Sequence, residues 1–94
     1  MAHEKVEFRL NGYTLIDEIE LDYDPDTESG TAYIDYIIGA VHGSPTIMFT
    51  FSDWWQLVDM CLLLLHKSRY ELNDYVSFMR HDLTSVWSFH TPFY

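Results

Sequence analysis

The first third of the chain alternates apolar and polar residues, which is the period of strands that bury one face. Apolar side chains occupy every second position from Val6 to Leu10, and an Asn-Gly pair follows. Both turn residues tolerate a positive φ, so the pair predicts a two-residue hairpin that places Leu10 opposite Tyr13 and Phe8 opposite Leu15. The apolar faces of the two strands agree in this register, which supports the hairpin independently of its turn.

The next segment, "DEIELDYDPDTES" from Asp17 to Ser29, also alternates but carries seven carboxylates. Its apolar residues at positions 19, 21 and 23 share one face, whereas the other face carries Glu18, Glu20, Asp22 and Asp24. Asp17 itself falls on the apolar face, so we expect a bulge or a strand end near Asp17 and Glu18. The residues "DPDTESG" then supply a turn that ends the strand.

Two further strands follow this turn. The stretch from Thr31 to about Val41 is apolar on both faces, which is typical of a central strand. "HGSP" interrupts it, and Thr46 to Phe51 then alternates again, with Ile47, Phe49 and Phe51 on one face. The first half of the chain therefore predicts four strands.

The second half changes to helical spacing. Thr50 or Ser52 is placed to cap a helix beginning at "DWWQ", with Asp53 in its first turn. From Trp54 to Leu65 the polar residues form one narrow stripe, so we expect this helix to be buried on several sides, either on the sheet beneath another element or in a subunit interface. Apolar spacing predicts a second helix over residues 71–82, although "RYELNDYV" also fits a strand, and "SVWSFHTPFY" fits a short edge strand.

These elements predict one α+β domain over residues 1–94. In this prediction, an antiparallel sheet of about four strands is packed by one or two C-terminal helices, with a short C-terminal edge strand added. A chain of 94 residues suits a single hydrophobic core.

The charge of the chain is strongly one-sided. Fifteen Asp and Glu against five Lys and Arg give a formal net charge of −10. No Lys or Arg occurs between Arg9 and Lys67, a stretch that holds ten of the acids, so nothing within the stretch neutralises its neighbours. Such a surface repels nucleic acid and anionic membranes and attracts basic proteins in a salt-dependent way. We therefore expect a basic protein as the partner.

The acids of the second strand predict a regular row. Alternate residues of one strand lie about 6.5–7 Å apart, which is the general scale of successive phosphates in a nucleic acid. The row can therefore act as a nucleic-acid mimic that occupies a Lys/Arg groove, whereas a solvated hairpin is the plainer interpretation. The predicted partner-binding residues are Glu18, Glu20, Asp22, Asp24, Asp26, Glu28 and Asp35.

The aromatic residues form a second hypothesis for an interface. Their usual role is in the core, and the alternative is a partner-binding patch or a homodimer interface closed by the C-terminal tail. The residues of this aromatic interface would be Trp54, Trp55, Trp87, Phe89 and Phe93.

Motifs for metal binding and catalysis are missing from the sequence. Asp22, Asp24 and Asp26 match the start of an EF-hand loop, but Thr27 stands where glycine is needed and Tyr33 where a bidentate glutamate is needed. The histidines have no zinc-ligand spacing, and the chain lacks a GxSxG elbow and a glycine-rich phosphate loop. We expect no enzyme, no cofactor and no metal.

The segments that would indicate another compartment are also missing. Cys61 is the only cysteine, so no internal disulfide can form. No apolar leader begins the chain, and "LVDMCLLLL" is too short to span a membrane. These features are typical of a soluble cytoplasmic protein.

Three functions fit these observations. The first is a small acidic inhibitor that blocks a basic, nucleic-acid-handling protein such as a nuclease or CRISPR effector. Phage-encoded inhibitors of host defence, anti-CRISPR proteins included, are similar in size and charge. The second is an immunity or antitoxin protein that neutralises a toxic nuclease. The third is a small-molecule-binding domain with a pocket between helix and sheet, lined by Tyr33, Tyr36, His42 and Trp55.

Overall fold

The computed structural model describes residues 1–35, 46–67 and 75–90. Within these ranges the chain forms one antiparallel sheet of six strands and one α-helix. The strands lie in the order β4-β3-β2-β1-β5-β6 across the sheet. The elements are β1 (Ala2–Leu10), β2 (Tyr13–Asp24), β3 (Ser29–Asp35), β4 (Thr46–Phe51), α1 (Trp54–Leu64), β5 (Tyr75–Arg80) and β6 (Ser85–His90).

The prediction of an α+β fold, with about four strands packed by one or two C-terminal helices, is wrong. Residues 75–80 form β5 rather than the second half of a helix, and the tail forms β6 beside it. β5 pairs with β1, where Val76 lies opposite Leu10 and Phe78 opposite Phe8. This pairing buries both β5 side chains, so tertiary contacts override the helical spacing. The fold is mostly β, and residues 71–74 lie outside the described ranges.

The predicted hairpin between β1 and β2 is confirmed at its turn. Asn11 and Gly12 have φ angles of 54° and 82°, and Leu10 pairs with Tyr13. Beyond the turn the predicted register is wrong, because β2 has one extra residue at Leu15. Phe8 therefore pairs with Ile16 rather than with Leu15.

A second register shift confirms the predicted bulge. It lies where Asp17 and Glu18 together oppose the single residue Glu7. After two extra residues, the side-chain alternation of β2 again matches that of β1. Ile19, Leu21 and Tyr23, which follow the bulge, are therefore buried, and Ile19 lies directly opposite Val6.

β3 and β4 extend the sheet on the far side of β2. β3 lies between two strands, as a buried central segment should, and its residues Ala32 and Ile34 are fully buried. A Cβ atom on Gly30 would lie 2.0 Å from the carbonyl oxygen of Asp22, so the close approach of these strands requires glycine. The predicted continuation of β3 to about Val41 lies outside the described residues, whereas β4 has its predicted bounds.

Helix α1 follows directly from β4. Its N-cap is Asp53, whose carboxylate accepts a hydrogen bond from the backbone N–H of Gln56 at 3.0 Å. The prediction of Thr50 or Ser52 as the cap is therefore wrong. The helix buries one side, and its opposite side exposes Gln56, Asp59 and Leu63. No described element therefore covers that side, and its burial in a subunit interface stays a prediction. None of the described helical residues belongs to a helix long and apolar enough to cross a membrane.

The core lies between α1 and one face of the sheet. Trp54 is at its centre and is only 4% exposed. Its ring centroid lies 5.2–6.1 Å from those of four other aromatic rings, which come from β2, β4, β5 and β6. These four residues are Tyr23, Phe51, Phe78 and Trp87.

The central position of Trp54 predicts a large effect of its removal. Trp54→Ala should lower the free energy of unfolding by about 3–5 kcal/mol, because it leaves a cavity against four strands. The matched control is Trp55→Ala, which truncates the half-buried neighbouring indole and should cost clearly less. Urea denaturation followed by far-ultraviolet circular dichroism measures both, and equal losses would contradict the central role of Trp54.

Candidate functional site

The face of the sheet opposite α1 is polar, and no element among the described residues packs over it. Side chains alternate along β2, and because Ile19, Leu21 and Tyr23 are buried, the carboxylates between them point to this open face. Asp35 of β3 joins them, since Tyr33, on the same side of β3, pairs with Glu20. We call the five residues Glu18, Glu20, Asp22, Asp24 and Asp35 the acidic face.

Strand β1 places two basic side chains beside the acidic face. Lys5 lies opposite Glu20, and His3 lies opposite Asp22. Sequence reasoning missed both, because they lie outside the long stretch without Lys or Arg. With Lys5 included, the five carboxylates leave a formal charge of −4 when His3 is neutral and −3 when it is protonated. The surface therefore remains strongly negative.

His3 bridges two carboxylates of the acidic face. Its Nε2 atom is 2.8 Å from Oε1 of Glu20, and its Nδ1 atom is 2.5 Å from Oδ1 of Asp22. A neutral imidazole has a proton on only one nitrogen, so both contacts can be hydrogen bonds only when His3 is protonated. Hydrogen bonding to Asp22 is the main cause that raises the pKa of His3 above 6.5, and Glu20 adds to the effect.

A shallow cavity opens on the acidic face. Its volume is about 80 Å³, and its lining consists of Lys5, Glu18, Glu20, Tyr33, Asp35 and Thr46. The Thr46 hydroxyl donates a hydrogen bond of 2.6 Å to Asp35, which joins β4 to β3 at the edge of the cavity. Pockets for metabolites usually measure about 300–1,000 Å³, so this cavity has room only for the end of one side chain.

The remaining predicted acids, Asp26 and Glu28, lie in the turn between β2 and β3. The Asp24 carboxylate accepts the backbone N–H of Asp26 at 2.9 Å, and the Asp24 carbonyl accepts that of Glu28 at 2.8 Å. Both turn side chains are exposed at one end of the sheet. Five of the seven predicted partner-binding residues therefore share a face, and two lie beyond the end of its row.

The predicted aromatic interface is divided by the structure. Trp54 is a core residue, whereas Trp55 and Trp87 are half-buried and meet edge to face with their ring centroids 5.7 Å apart. Phe89 belongs to β6, and Phe93 lies outside the described residues. An interface through Trp55 and Trp87 stays a prediction.

No family model, curated protein or solved structure matches the chain. The arrangement of its own residues is therefore the only basis for a function.

The described residues offer little for nucleophilic or metal chemistry. Cys61 is fully buried, and burial raises the pKa of its thiol, which disfavours the reactive thiolate. No three His, Cys, Asp or Glu side chains within the described ranges are placed to hold a metal ion. Each ring nitrogen of His3 contacts a different carboxylate, so His3, Glu20 and Asp22 do not point toward one common metal position.

A small-molecule pocket was predicted between helix and sheet, and two of its four predicted lining residues, Tyr33 and Trp55, are described. These two lie on opposite faces of the sheet and do not line a common pocket. Tyr33 lines the cavity on the acidic face, whereas Trp55 packs against Trp87 on the helix side of the sheet. Tyr36 and His42 lie outside the described residues.

The bridging position of His3 predicts its titration. Ring-proton shifts measured by NMR should give a pKa above 6.5, lowered more by Asp22→Asn than by Glu20→Gln, because the Asp22 contact is the larger cause. The reverse order would contradict the bridge. Because folding raises this pKa, the contact stabilises the fold fully below about pH 6.5 and loses its effect as the pH rises through the folded-state pKa. His3→Gln should therefore be destabilising only at the acidic end.

Proposed function

We propose that this chain is a binding protein whose acidic face docks into a Lys- and Arg-rich groove of a nucleic-acid-handling protein and blocks it. The observation that carries the proposal is a row of carboxylates on a sheet face that no described element covers. A solvated face needs no such concentration of one charge sign, whereas a basic groove is complementary to it.

The geometry of the row supports mimicry of a nucleic acid backbone. Beyond the bulge, the carboxylates of Glu20, Asp22 and Asp24 follow one extended strand, so they repeat at about 6.5–7 Å. Asp35 adds a carboxylate beside Glu18 on the neighbouring strand β3, and adjacent strands are about 4.8 Å apart. A basic groove that releases counterions on binding phosphates gains a similar term from this surface.

The contacts within the face hold its carboxylates in place. Asp35 accepts the Thr46 hydroxyl whatever the protonation state of His3, and neutral His3 still donates one hydrogen bond to Glu20 or Asp22. A partner therefore meets carboxylates that have already lost part of their conformational freedom, which lowers the entropic cost of binding. The cavity beside Glu18 and Asp35 has room for one arginine or lysine end, and arginine is favoured because it binds carboxylates through two hydrogen bonds.

The partner class that fits is a nuclease or a CRISPR effector. Inhibition of host defence by a phage protein and neutralisation of a toxic nuclease by an immunity protein would both make use of such a surface. The two functions differ in the identity of the captured protein. Tyr33 and Trp55 lie on different faces of the sheet, so nothing favours a small-molecule pocket between them.

Removal of the row tests the proposal. The immobilised chain should capture a basic nucleic-acid-binding protein from a bacterial lysate at about 50 mM salt and release it at about 500 mM. It should also displace a labelled oligonucleotide from that protein, as fluorescence anisotropy measures. The quadruple variant Glu18→Gln, Glu20→Gln, Asp22→Asn, Asp24→Asn should bind at least about fourfold more weakly, because exposed ion pairs contribute roughly 0.2–1 kcal/mol each.

A matched pair of variants separates this face from net charge. Glu20→Gln with Asp22→Asn and Asp59→Asn with Asp82→Asn each remove two carboxylates, but only the first pair lies on the acidic face. Equal weakening by both pairs, unchanged affinity of the quadruple variant, or capture of no basic protein would each refute the proposal.

Binding should also depend on pH through His3. Protonation adds a positive charge between Glu20 and Asp22, so affinity for the captured protein should fall as the pH decreases through the raised pKa of His3. His3→Gln keeps a polar side chain that does not titrate and should flatten this part of the pH profile. Titrating groups of the partner affect the wild type and the variant equally, so only the difference between their pH profiles reports on His3. Identical profiles would show that protonation of His3 does not affect binding.

A further inference from the structure

Strand β4 forms one edge of the sheet, and no described strand pairs with its outer side. Edge strands are usually protected from other chains by charged residues, proline or bulges. The sequence of β4, TIMFTF, has no charged residue and no proline, and its pairing with β3 has no register shift. Met48 is 68% exposed on this strand. The usual protections are therefore missing from β4.

The residue pattern of β4 is complementary to itself. If two copies pair antiparallel with Met48 opposite Met48, then Thr46 lies opposite Thr50 and Ile47 opposite Phe49. Ile47 and Phe49 are half-buried on the core side, so each pair would complete the cover of the other. Residues of the same kind meet over Thr46–Thr50, as in an isologous two-fold interface, and Phe51 lies beyond the paired stretch.

Electrostatic repulsion between two copies of the chain also permits pairing at the β4 edge. Two copies that each carry −10 can approach only where their carboxylates stay apart. Asp35 is the residue of the acidic face nearest the edge, because it pairs with Thr46. In the Met48-centred register, three strand spacings and four residues separate it from Asp35 of the second copy, which is about 20 Å. This exceeds twice the screening length of about 8 Å at physiological ionic strength.

We propose that β4 pairs antiparallel with β4 of a second copy of this chain, with Met48 at the two-fold axis. Paired residues of antiparallel strands point to the same side, so the two acidic faces lie together on one face of a continuous sheet. One junction of five paired residues in each chain is smaller than a standard interface of about 1,600 Å², so the dimer is weak and depends on concentration. This inference does not rest on the proposed function.

Sedimentation equilibrium of the full chain should show a reversible dimer up to about 1 mM protein, the range of weak association. Met48→Lys should lower the association constant at least about tenfold, because two added charges would meet at the axis. The matched control is Leu83→Lys, which adds the same charge at another residue that is 68% exposed, and it should leave association unchanged. A wild-type monomer throughout this range, or equal effects of both variants, would overturn the proposal.

Cross-linking tests the register directly. Cα atoms of directly opposed residues lie about 4.5–5.5 Å apart, within the range of a disulfide, so Met48→Cys should form a covalent dimer on mild oxidation. In Thr46→Cys the two introduced thiols would lie about 14 Å apart and should not cross-link. Cys61 is buried in all variants and does not compete. Equal cross-linking of both variants, or none in Met48→Cys, would overturn the register.

Discussion

Trp54 packs its indole ring among aromatic side chains from β2, β4, β5 and β6, and so joins the helix to most of the sheet. One helix can cover only one face of the sheet, and the described residues contain no second helix. Most apolar side chains of the strands therefore point toward α1, and the carboxylates of β2 that alternate with Ile19, Leu21 and Tyr23 point toward the open face. The position of the acidic face is a consequence of this one-sided core.

The open face then needs its own electrostatic balance. Like charges on neighbouring positions of a strand repel each other, and β1 reduces this repulsion by placing Lys5 and His3 beside Glu20 and Asp22. The balance is incomplete, because Glu18, Asp24 and Asp35 add further charge at the ends of the face. A surface whose carboxylates are ordered and still negative suits the capture of a basic partner. Protonation of His3 lowers the net negative charge of this surface.

Much of the candidate site follows from local pattern. Alternation along β2 placed its carboxylates on one face, and the misplaced parity of Asp17 indicated the bulge. The partners from β1 do not follow, because the register depends on two extra residues, one at Leu15 and one in the Asp17–Glu18 bulge. A single extra residue would have reversed the faces of β2 and turned its carboxylates toward the core. Only the complete register brings His3 and Lys5 to the acidic face.

The sequence by itself determined the elements whose apolar spacing fits one structure: the first hairpin turn, β4 and the helix after it. At Asp17 it left a bulge and a strand end open, and the pairing with β1 decided for the bulge. It did not determine β5, since Val76 and Phe78 fit both a helix and a strand. Pairing with β1 decided between them, because only a strand at that place buries both side chains opposite Leu10 and Phe8. Local spacing describes which side chains share a face, whereas tertiary structure decides which neighbour covers that face.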